Sequence, residues 1–528
     1  MSFKSLIDEI ENNLHKILDD LSVSGISFLV EPAKPGFGDV SSNVSFLLAK
    51  HLKKNPKEIA DILSEKYRQS QSTLVSKVVS HPSGYLNFFA NWEKLNQLIL
   101  SESNLDEFGS IDLGKNSTIV VEHTSVNPNK ALHIGHIRNI ILGDAIARIL
   151  KKSNYKVNIL NYVDDSGLQV ADIIVGFRHF GFALQPPQGK KFDHYCGDDV
   201  YVKTTEKYEK DPSLEEIRKN ILKELEDGNS ETAQFADKIT RLVLENQLET
   251  CWNLGVYYDC LNFESQIIRS GLWGKIFEKL KELNLIEFEN EGKNAGCWVI
   301  RGENNEEDKV IVRSNGTATY VAKDIPYAAW KLGLLADPFN YKKYEKMQPG
   351  NHVLWQTTLV PSSEPKQNFT GKKVITVIDS RQARLQKIIT TLMSKFKSTQ
   401  DAYVHLSYES VTLSADTAQT LGLNTDGKQA QMSGRKGLYV NADSVYDLLK
   451  DKTTEETRKR HPEMIDSEIE KIAHNVSVGT LRYEMIKQDL DKIISFDLTK
   501  SLSLEGDTAP YIQYTYARAS RIIEKSTR

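Results

Sequence analysis

Residues 118–165 read TIVVEHTSVNPNKALHIGHIRNIILGDAIARILKKSNYKVNILNYVDD. TIVVEHT is a short apolar run rich in β-branched residues, the composition of a buried strand. IRNIILGDAIARILKK, 137–152, sets Ile137, Ile141, Ala145 and Ile149 along one side of a helix. KVNILNYVDD, 156–165, reads as a second strand. Strand, loop, helix and strand within about fifty residues make a βαβ unit, the seed of a doubly wound parallel sheet. The fold class is therefore α/β.

Outward from this unit, KVIVRS (309–314) and KKVITVID (372–379) supply further strands. Between them and the unit, 172–300 is long, charged and mostly helical, and reads as an insertion in the sheet domain. Upstream, residues 2–22 place Ile7, Ile10, Leu14, Ile17 and Leu21 at helical spacing. GFGDVSSNVSFLLAKHLKK then offers Asp39 and Ser41 as caps of a second helix, and GYLNFFAN (84–91) reads as a strand. A small α+β domain over 1–112 is expected, ending in the polar stretch SESNLDEFGSIDLGKNS. The sheet domain follows over 113–445, and a helical domain over 446–528. There is no internal repeat and no low-complexity tail.

The 528 residues exceed one ordinary core, in keeping with several domains. Hydrophobic residues at 40% and charged residues at 26% are ordinary for a soluble globular protein. MSFKSLIDEIENNLHKIL is charged and amphipathic, so it is not a secretory signal, and no window matches a membrane span. Cys196, Cys251, Cys260 and Cys297 form no CxxC pair, which argues against zinc and for a reducing compartment. A net charge of −4 neither announces nor excludes a nucleic-acid partner, because local patches set such binding.

In a doubly wound sheet, ligands bind beyond the C-terminal ends of the strands. His133 and His136 fall there, at the start of the helix, whose N-terminus is a natural anion site. Gly135 leaves room for a flat purine against the backbone. The imidazoles can donate to phosphate oxygens and Lys130 can add a full charge. Such an array stabilises charge developing on an α-phosphate during in-line displacement. A bare HxxH more often caps a helix or faces solvent. A metal would need a third ligand, and none is nearby in sequence. Lys130, Gly135 and the preceding strand favour the phosphate role.

HIGH at 133–136 is the signature of class I aminoacyl-tRNA synthetases. The longer run VEHTSVNPNKALHIGHIRNIILGDAIARIL resembles the arginyl-tRNA synthetases. The similarity continues through NYVDDSGLQVAD, LGVYYDCLNFESQ, VRSNGTATYVAKDIPYAAWK, QMSGRKG and GDTAPYIQYTYARA, nearly the whole chain. It implies a class I Rossmann-like catalytic domain with a parallel sheet, an N-terminal tRNA-contacting domain and the start of a helical anticodon-binding domain. The implied reaction joins L-arginine and ATP, with Mg2+ and without zinc, into arginyl-adenylate, then transfers the arginyl group to tRNA(Arg). The expected form is a cytoplasmic monomer with no membrane association.

The family's Lys-Met-Ser-Lys-Ser loop corresponds to Gln431, Met432, Ser433, Gly434 and Arg435, so both lysine positions hold something else. As in many arginyl enzymes, Lys130 would replace the second lysine's charge, while Arg435 and Lys436 hold the β- and γ-phosphates. Met432, Ser433 and Gly434 complete the ATP site, and Gly434 and Gly437 would let the loop close. A guanidinium substrate calls for carboxylates in bidentate geometry. By resemblance, Asp324 and Glu264 pair with it and Tyr320 packs beside it. Glu122 and Asn127 hold the α-amino and carboxylate groups, and Gln382 is a further substrate contact. Alone, each reads as a surface carboxylate or a satisfied core tyrosine.

Two other readings stay open. One is an HxGH nucleotidyltransferase acting on a small phosphate ester, and the other a non-catalytic tRNA-binding paralogue. In the family the anticodon domain continues past QYTYARA, so weak anticodon recognition and weak activation are expected of a chain ending at Arg528.

Overall fold

The computed structural model describes residues 2–23, 25–103, 105–302, 307–397, 401–423, 430–431 and 440–526. The chain forms two compact units, one of residues 1–113 with 152–154, the other of the remainder. Among the described residues, no helix is long and apolar enough to cross a membrane.

The first unit is a four-stranded antiparallel sheet in the order Val30–Pro32, Val40–Ser42, Leu86–Ala90, Val75–Ser80. The helix Ser2–Asp20 buries Leu6, Ile10, Leu14, Ile17 and Leu18 in its core. Asp39 and Ser41 do not cap a helix. Asp39 accepts from the Ala90 amide at 2.8 Å, and Ser41 lies within the strand Val40–Ser42. The next helix, Val44–Leu52, starts after Asn43, whose side chain is turned to the Leu29 amide at 2.9 Å.

The second unit is built on seven strands: β1 (Thr118–Glu122), β2 (Lys156–Val163), β3 (Cys260–Phe263), β4 (Asn340–Lys343), β5 (Trp355–Thr358), β6 (Lys373–Asp379) and β7 (Tyr403–Tyr408). Their order is β4-β5-β3-β2-β1-β6-β7, parallel throughout except for the edge strand β4. The order reverses between β1 and β6, the topological switch point, where doubly wound sheets place their ligand crevice. The main helices are α1 (Ile134–Lys152), α2 (Glu231–Asn253), α3 (Tyr320–Lys331), α4 (Ala383–Lys397), α5 (Ala442–Arg460), α6 (Asp466–Ile486) and α7 (Ala509–Ser526).

Alternation along the strands sorts the core onto two faces. Ile119, Val121, Ile159 and Val163 meet Ile137 and Ile141 of α1 and Leu244 and Leu248 of α2. Val120, Leu160, Cys260 and Val374 meet Val321, Ile325 and Ala328 of α3 and Ile389 and Leu392 of α4. Ile149 is exposed, so the buried stripe of α1 follows Ile134, Ile137, Ile140 and Ile141 instead. KVIVRS does form a strand, Lys309–Val312, but in a separate antiparallel sheet with Trp298–Ile300 and Glu287–Phe288. The stretch 172–300 is not all insertion, since β3 inside it pairs with β2.

Candidate active site

The chain leaves β1 at Glu122 and turns sharply. Thr124 and Ser125 take positive φ values of 75° and 47°, a conformation that costs a β-branched residue about 1–3 kcal/mol. Tertiary bonds hold it there. Asn139 of α1 accepts from the Thr124 amide at 2.5 Å, Asn161 of β2 accepts from the Ser125 amide at 3.2 Å, and Thr124 Oγ1 meets Tyr258 Oη at 2.6 Å. His123 packs against Gly143, where even a methyl group would fall 2.2 Å from the imidazole ring.

The next residues are held just as closely from outside. Gln247 of α2 donates to the carbonyls of Asn127 and Lys130 at 3.0 and 2.7 Å. The Ala131 amide donates to the Asp193 carbonyl at 3.1 Å. Leu132 accepts from Ala442 at 2.8 Å, and Ile134 donates to Val440 at 3.2 Å. Lys130 is buried, its ammonium 5.3 Å from the ring centre of Tyr201. A turn of π-helix, Cys196–Tyr201, ends at that tyrosine; such turns cluster at functional sites.

His133 and His136 are half-buried, and their rings stack with centroids 3.5 Å apart. The His133 amide donates to His136 Nδ1 at 3.2 Å, and the Gly135 amide to His133 Nδ1 at 3.1 Å. With each Nδ1 accepting, the hydrogen-bond partners assign the proton to Nε2. Lost hydration, with Lys130 and Arg381 nearby, pushes His133 down to about 3; His136 is held well below its usual range by burial, His133 and the same two cations. At neutral pH the pair consists of two uncharged donors, with the positive charge supplied by Lys130 and Arg381.

Beside this pair lies an acidic slot. Asp164 and Asp165 follow the end of β2, and Glu264 follows β3. Asn127 donates to Asp164 at 2.5 Å, Ser166 donates to Glu264, and Ser265 donates to Asp165 through amide and hydroxyl at 2.8 and 2.6 Å. Gly167 lies close here, since a Cβ would come 2.8 Å from Asp164 Oδ1 and push that carboxyl aside. Burial and the neighbouring Glu264 push Asp164 well above the carboxylate range. Burial pushes Asp165 up to about 6 against the Ser265 bonds. Tyr162 bonds to Glu264 and feels the charge of Asp324, and its hydroxyl is pushed well up by burial and these carboxylates. Among the described residues, Asp164, Asp165 and Glu264 have no ion-pair partner within the protein. Buried carboxyls of this kind are satisfied either by keeping a proton or by a cation arriving from outside.

The expected residues fall into three groups. Asn127, Lys130, His133, Gly135, His136, Glu264 and Asp324 converge on the C-terminal ends of β1, β2 and β3 and the start of α3. Glu122 is there too, but its carboxylate is buried against the ammonium of Lys331. Gln382 is exposed on a 3-10 turn after β6. Its neighbour Arg381, gripped by Asp379 at 2.8 and 2.9 Å, is the residue whose charge reaches the histidines. The Tyr320 side chain and residues Met432, Ser433, Gly434, Arg435 and Lys436 lie outside the described residues; the backbone of Gln431 pairs with Thr412 in a small sheet.

Sequence reasoning passed over Asp164, Asp165, Arg381 and Lys331, as well as a polar cluster of Asp193, His194 and Asp443. The signal for the first three was available: charged residues just past the C-terminal ends of β2 and β6. The cluster brings its ligand-type atoms within 4.8 Å of one another. Lys191 sits 2.7 Å from Asp443 Oδ2, however, and supplies the cation that a metal would provide.

Comparison with known proteins gives a consistent result. Residues 95–337 match the family described as class I (R) tRNA synthetases, catalytic domain, and residues 4–90 match the arginyl tRNA synthetase N terminal domain. An arginine–tRNA ligase of Thermococcus sibiricus is 34% identical, over 93% of this chain and 77% of its own length. That of Thermus thermophilus is 35% identical, over 91% and 76%. The solved Thermus thermophilus arginyl-tRNA synthetase superposes with a TM-score of 0.81 at 32% identity, covering 99% of this chain and 82% of that one.

Proposed function

Since the chain belongs to the arginyl-tRNA synthetase family, we propose that the crevice between β1 and β6 is where it forms arginyl-adenylate and charges tRNA(Arg). The enzyme is a class I arginine–tRNA ligase. Asp164, Glu264 and Asp324 receive the guanidinium, whose planar fork suits several carboxylates at once. The arginine carboxylate attacks the α-phosphate of ATP, which enters as its Mg2+ complex. The bond to the β-phosphate breaks and pyrophosphate leaves. His133 and His136 donate from Nε2 to phosphate oxygens as charge builds, each such donor being worth about 2.7–4 kcal/mol. Lys130 neutralises the leaving pyrophosphate. A hydroxyl of the terminal adenosine of the tRNA then takes the arginyl group, and AMP departs.

One observation supports this reading above the others. Asn127 lies three residues before Lys130 and donates to Asp164, so one short segment joins the cation site to the acidic slot. A substrate with a guanidinium at one end and a reacting carboxylate at the other would engage both. Beyond the crevice, the N-terminal unit and the α7 helix are the proposed tRNA contacts. On α7, Tyr511, Tyr514 and Tyr516 are exposed, as stacking on unpaired bases requires. Aminoacylation with each of the twenty amino acids is the test. Charging of tRNA(Arg) by arginine alone is expected; charging by another amino acid, or ATP–pyrophosphate exchange indifferent to arginine, would overturn it.

A further inference from the structure

We propose that Asp443 is a positioning residue that holds the Lys130–His133 segment in its reactive place, an inference resting on the reading of that segment as the adenylation site. The segment 130–134 belongs to no continuous sheet or helix until α1 begins. Its backbone depends on three parts of the chain remote in sequence: Gln247 of α2, Asp193 just before the π-turn, and residues 440–442 at the start of α5. Asp443 ties the same three together. Its Oδ1 accepts from Thr250, three residues after Gln247 on α2, at 2.8 Å. Its Oδ2 accepts from His194 at 3.0 Å and from Lys191 at 2.7 Å, the residues flanking Asp193 and its neighbour Phe192. His194 Nδ1 accepts in turn from Asn441 at 3.1 Å. Asn441 pairs with His133 across an isolated β-bridge.

Asp443 therefore links the three elements whose backbone and side-chain bonds support the Lys130–His133 segment. Thr250 and Asp193 are buried, and the Asp443 and His194 side chains are only 18% and 17% exposed, so the node is partly withdrawn from water. Burial alone would raise the Asp443 carboxyl. The bonds from His194 and Lys191 outweigh it and hold the group far below the usual range, so it stays an anion. Losing that anion releases α2, the 191–194 turn and the 440–442 segment from one another. The reactive groups would then lose their alignment without any direct contact to substrate being removed.

The experiment is tRNA-dependent ATP–pyrophosphate exchange by the full chain, comparing wild type, Asp443→Asn, Lys130→Ala and the double variant, with rates per active site. Asp443→Asn should lower kcat about 10- to 100-fold, the scale of a misplacement near 1 Å, with KM for arginine within about twofold. Because Asp443 acts through the segment that carries Lys130, adding Asp443→Asn to Lys130→Ala should slow that variant by clearly less than Asp443→Asn slows the wild type, the remainder acting through His133. Multiplicative losses, or a kcat per active site unchanged by Asp443→Asn, would overturn the inference. Should Asp443→Asn fail to fold, Thr250→Val removes one strut without changing charge, and the same non-additivity with Lys130→Ala decides. A Lys130→Ala enzyme as fast as wild type would instead defeat the underlying site reading, which separates the two failures.

Discussion

The imidazoles of His133 and His136 stack with centroids 3.5 Å apart and planes inclined by 19°. Two imidazolium rings would repel at that separation, so the stack excludes a doubly protonated pair. Both Nδ1 atoms are committed to backbone amides, and only Nε2–H is free to donate. His136→Ala should therefore lower the rate of adenylate formation by about 10²–10³, the loss of one well-placed donor. His136→Gln, whose amide nitrogen can reach the Nε2 position, should recover part of that loss. His136→Asn, which mimics Nδ1, should not. Exchange rates for the three variants check this, and an Asn variant better than Gln would refute the assigned tautomer.

His123 gives a prediction about acid stability. It is fully buried against Gly143 and Tyr258, and burial pushes it down to about 4. The unfolded chain binds this proton near pH 6.5, so the contribution is complete above 6.5 and is lost as pH falls toward 4. Its full size is about 3 kcal/mol at ~1.4 kcal/mol per unit. His123→Phe removes the titration. Relative to wild type, the variant should gain about 1.4 kcal/mol for each pH unit below 6.5 in urea unfolding. A difference independent of pH would show that His123 is not the responsible group.

The β1–α1–β2 unit was legible because each element is long, apolar and bounded by polar turns. β3 was not, because four buried residues inside a charged helical stretch show no alternation to read. Asp39 and Ser41 looked like caps because side-chain type is local, whereas the bond that claims Asp39 comes from Ala90. The same limit hid half of the site. Asn127, Lys130, Glu264 and Asp324 could be placed by resemblance to a family. The salt bridge from Lys331 to Glu122, the stack of the two histidines and the node at Asp443 join residues hundreds of positions apart, or depend on ring orientation. No periodicity in the sequence records them.

If the acidic slot receives the guanidinium, as proposed, arginine binding is sensitive to pH. Burial pushes Asp165 up to about 6 and, with Glu264 beside it, holds Asp164 well above the usual range, which favours protonated carboxyls there. Under the proposed reading, a guanidinium arriving there favours the ionised carboxylates and expels those protons. Arginine affinity should rise as pH increases through about 6 and level off above the raised carboxylate values. Calorimetric titration at pH 6 in two buffers of different ionisation enthalpy should register net proton release. Proton uptake, or affinity flat between pH 5 and 8, would place the guanidinium elsewhere. Glu264→Gln removes one of the charges and should weaken arginine binding by about 2–5 kcal/mol while leaving ATP binding nearly unchanged.

Lys331 and Glu122 form an ion pair that is almost entirely buried, at 1% and 5% exposure. Burial alone would lower the Lys331 ammonium, but Glu122 beside it outweighs that and leaves it above its usual range. Thr376 Oγ1 accompanies the pair at 3.4 Å from Glu122 Oε2, and Tyr403 Oη lies 3.4 Å from the ammonium. The pair joins the end of α3 to the end of β1, the two elements that deliver Asp324 and Asn127. Removing one partner leaves an uncompensated charge in the core, so Lys331→Met should cost about 3–5 kcal/mol of folding stability. Replacing both, Lys331→Met with Glu122→Gln, should cost less than Lys331→Met alone, because no buried charge remains. Denaturant unfolding of the two single variants and the double variant closes the cycle. If the losses simply add, so that the double variant is less stable than Lys331→Met alone, the Lys331 charge is balanced by some group other than Glu122.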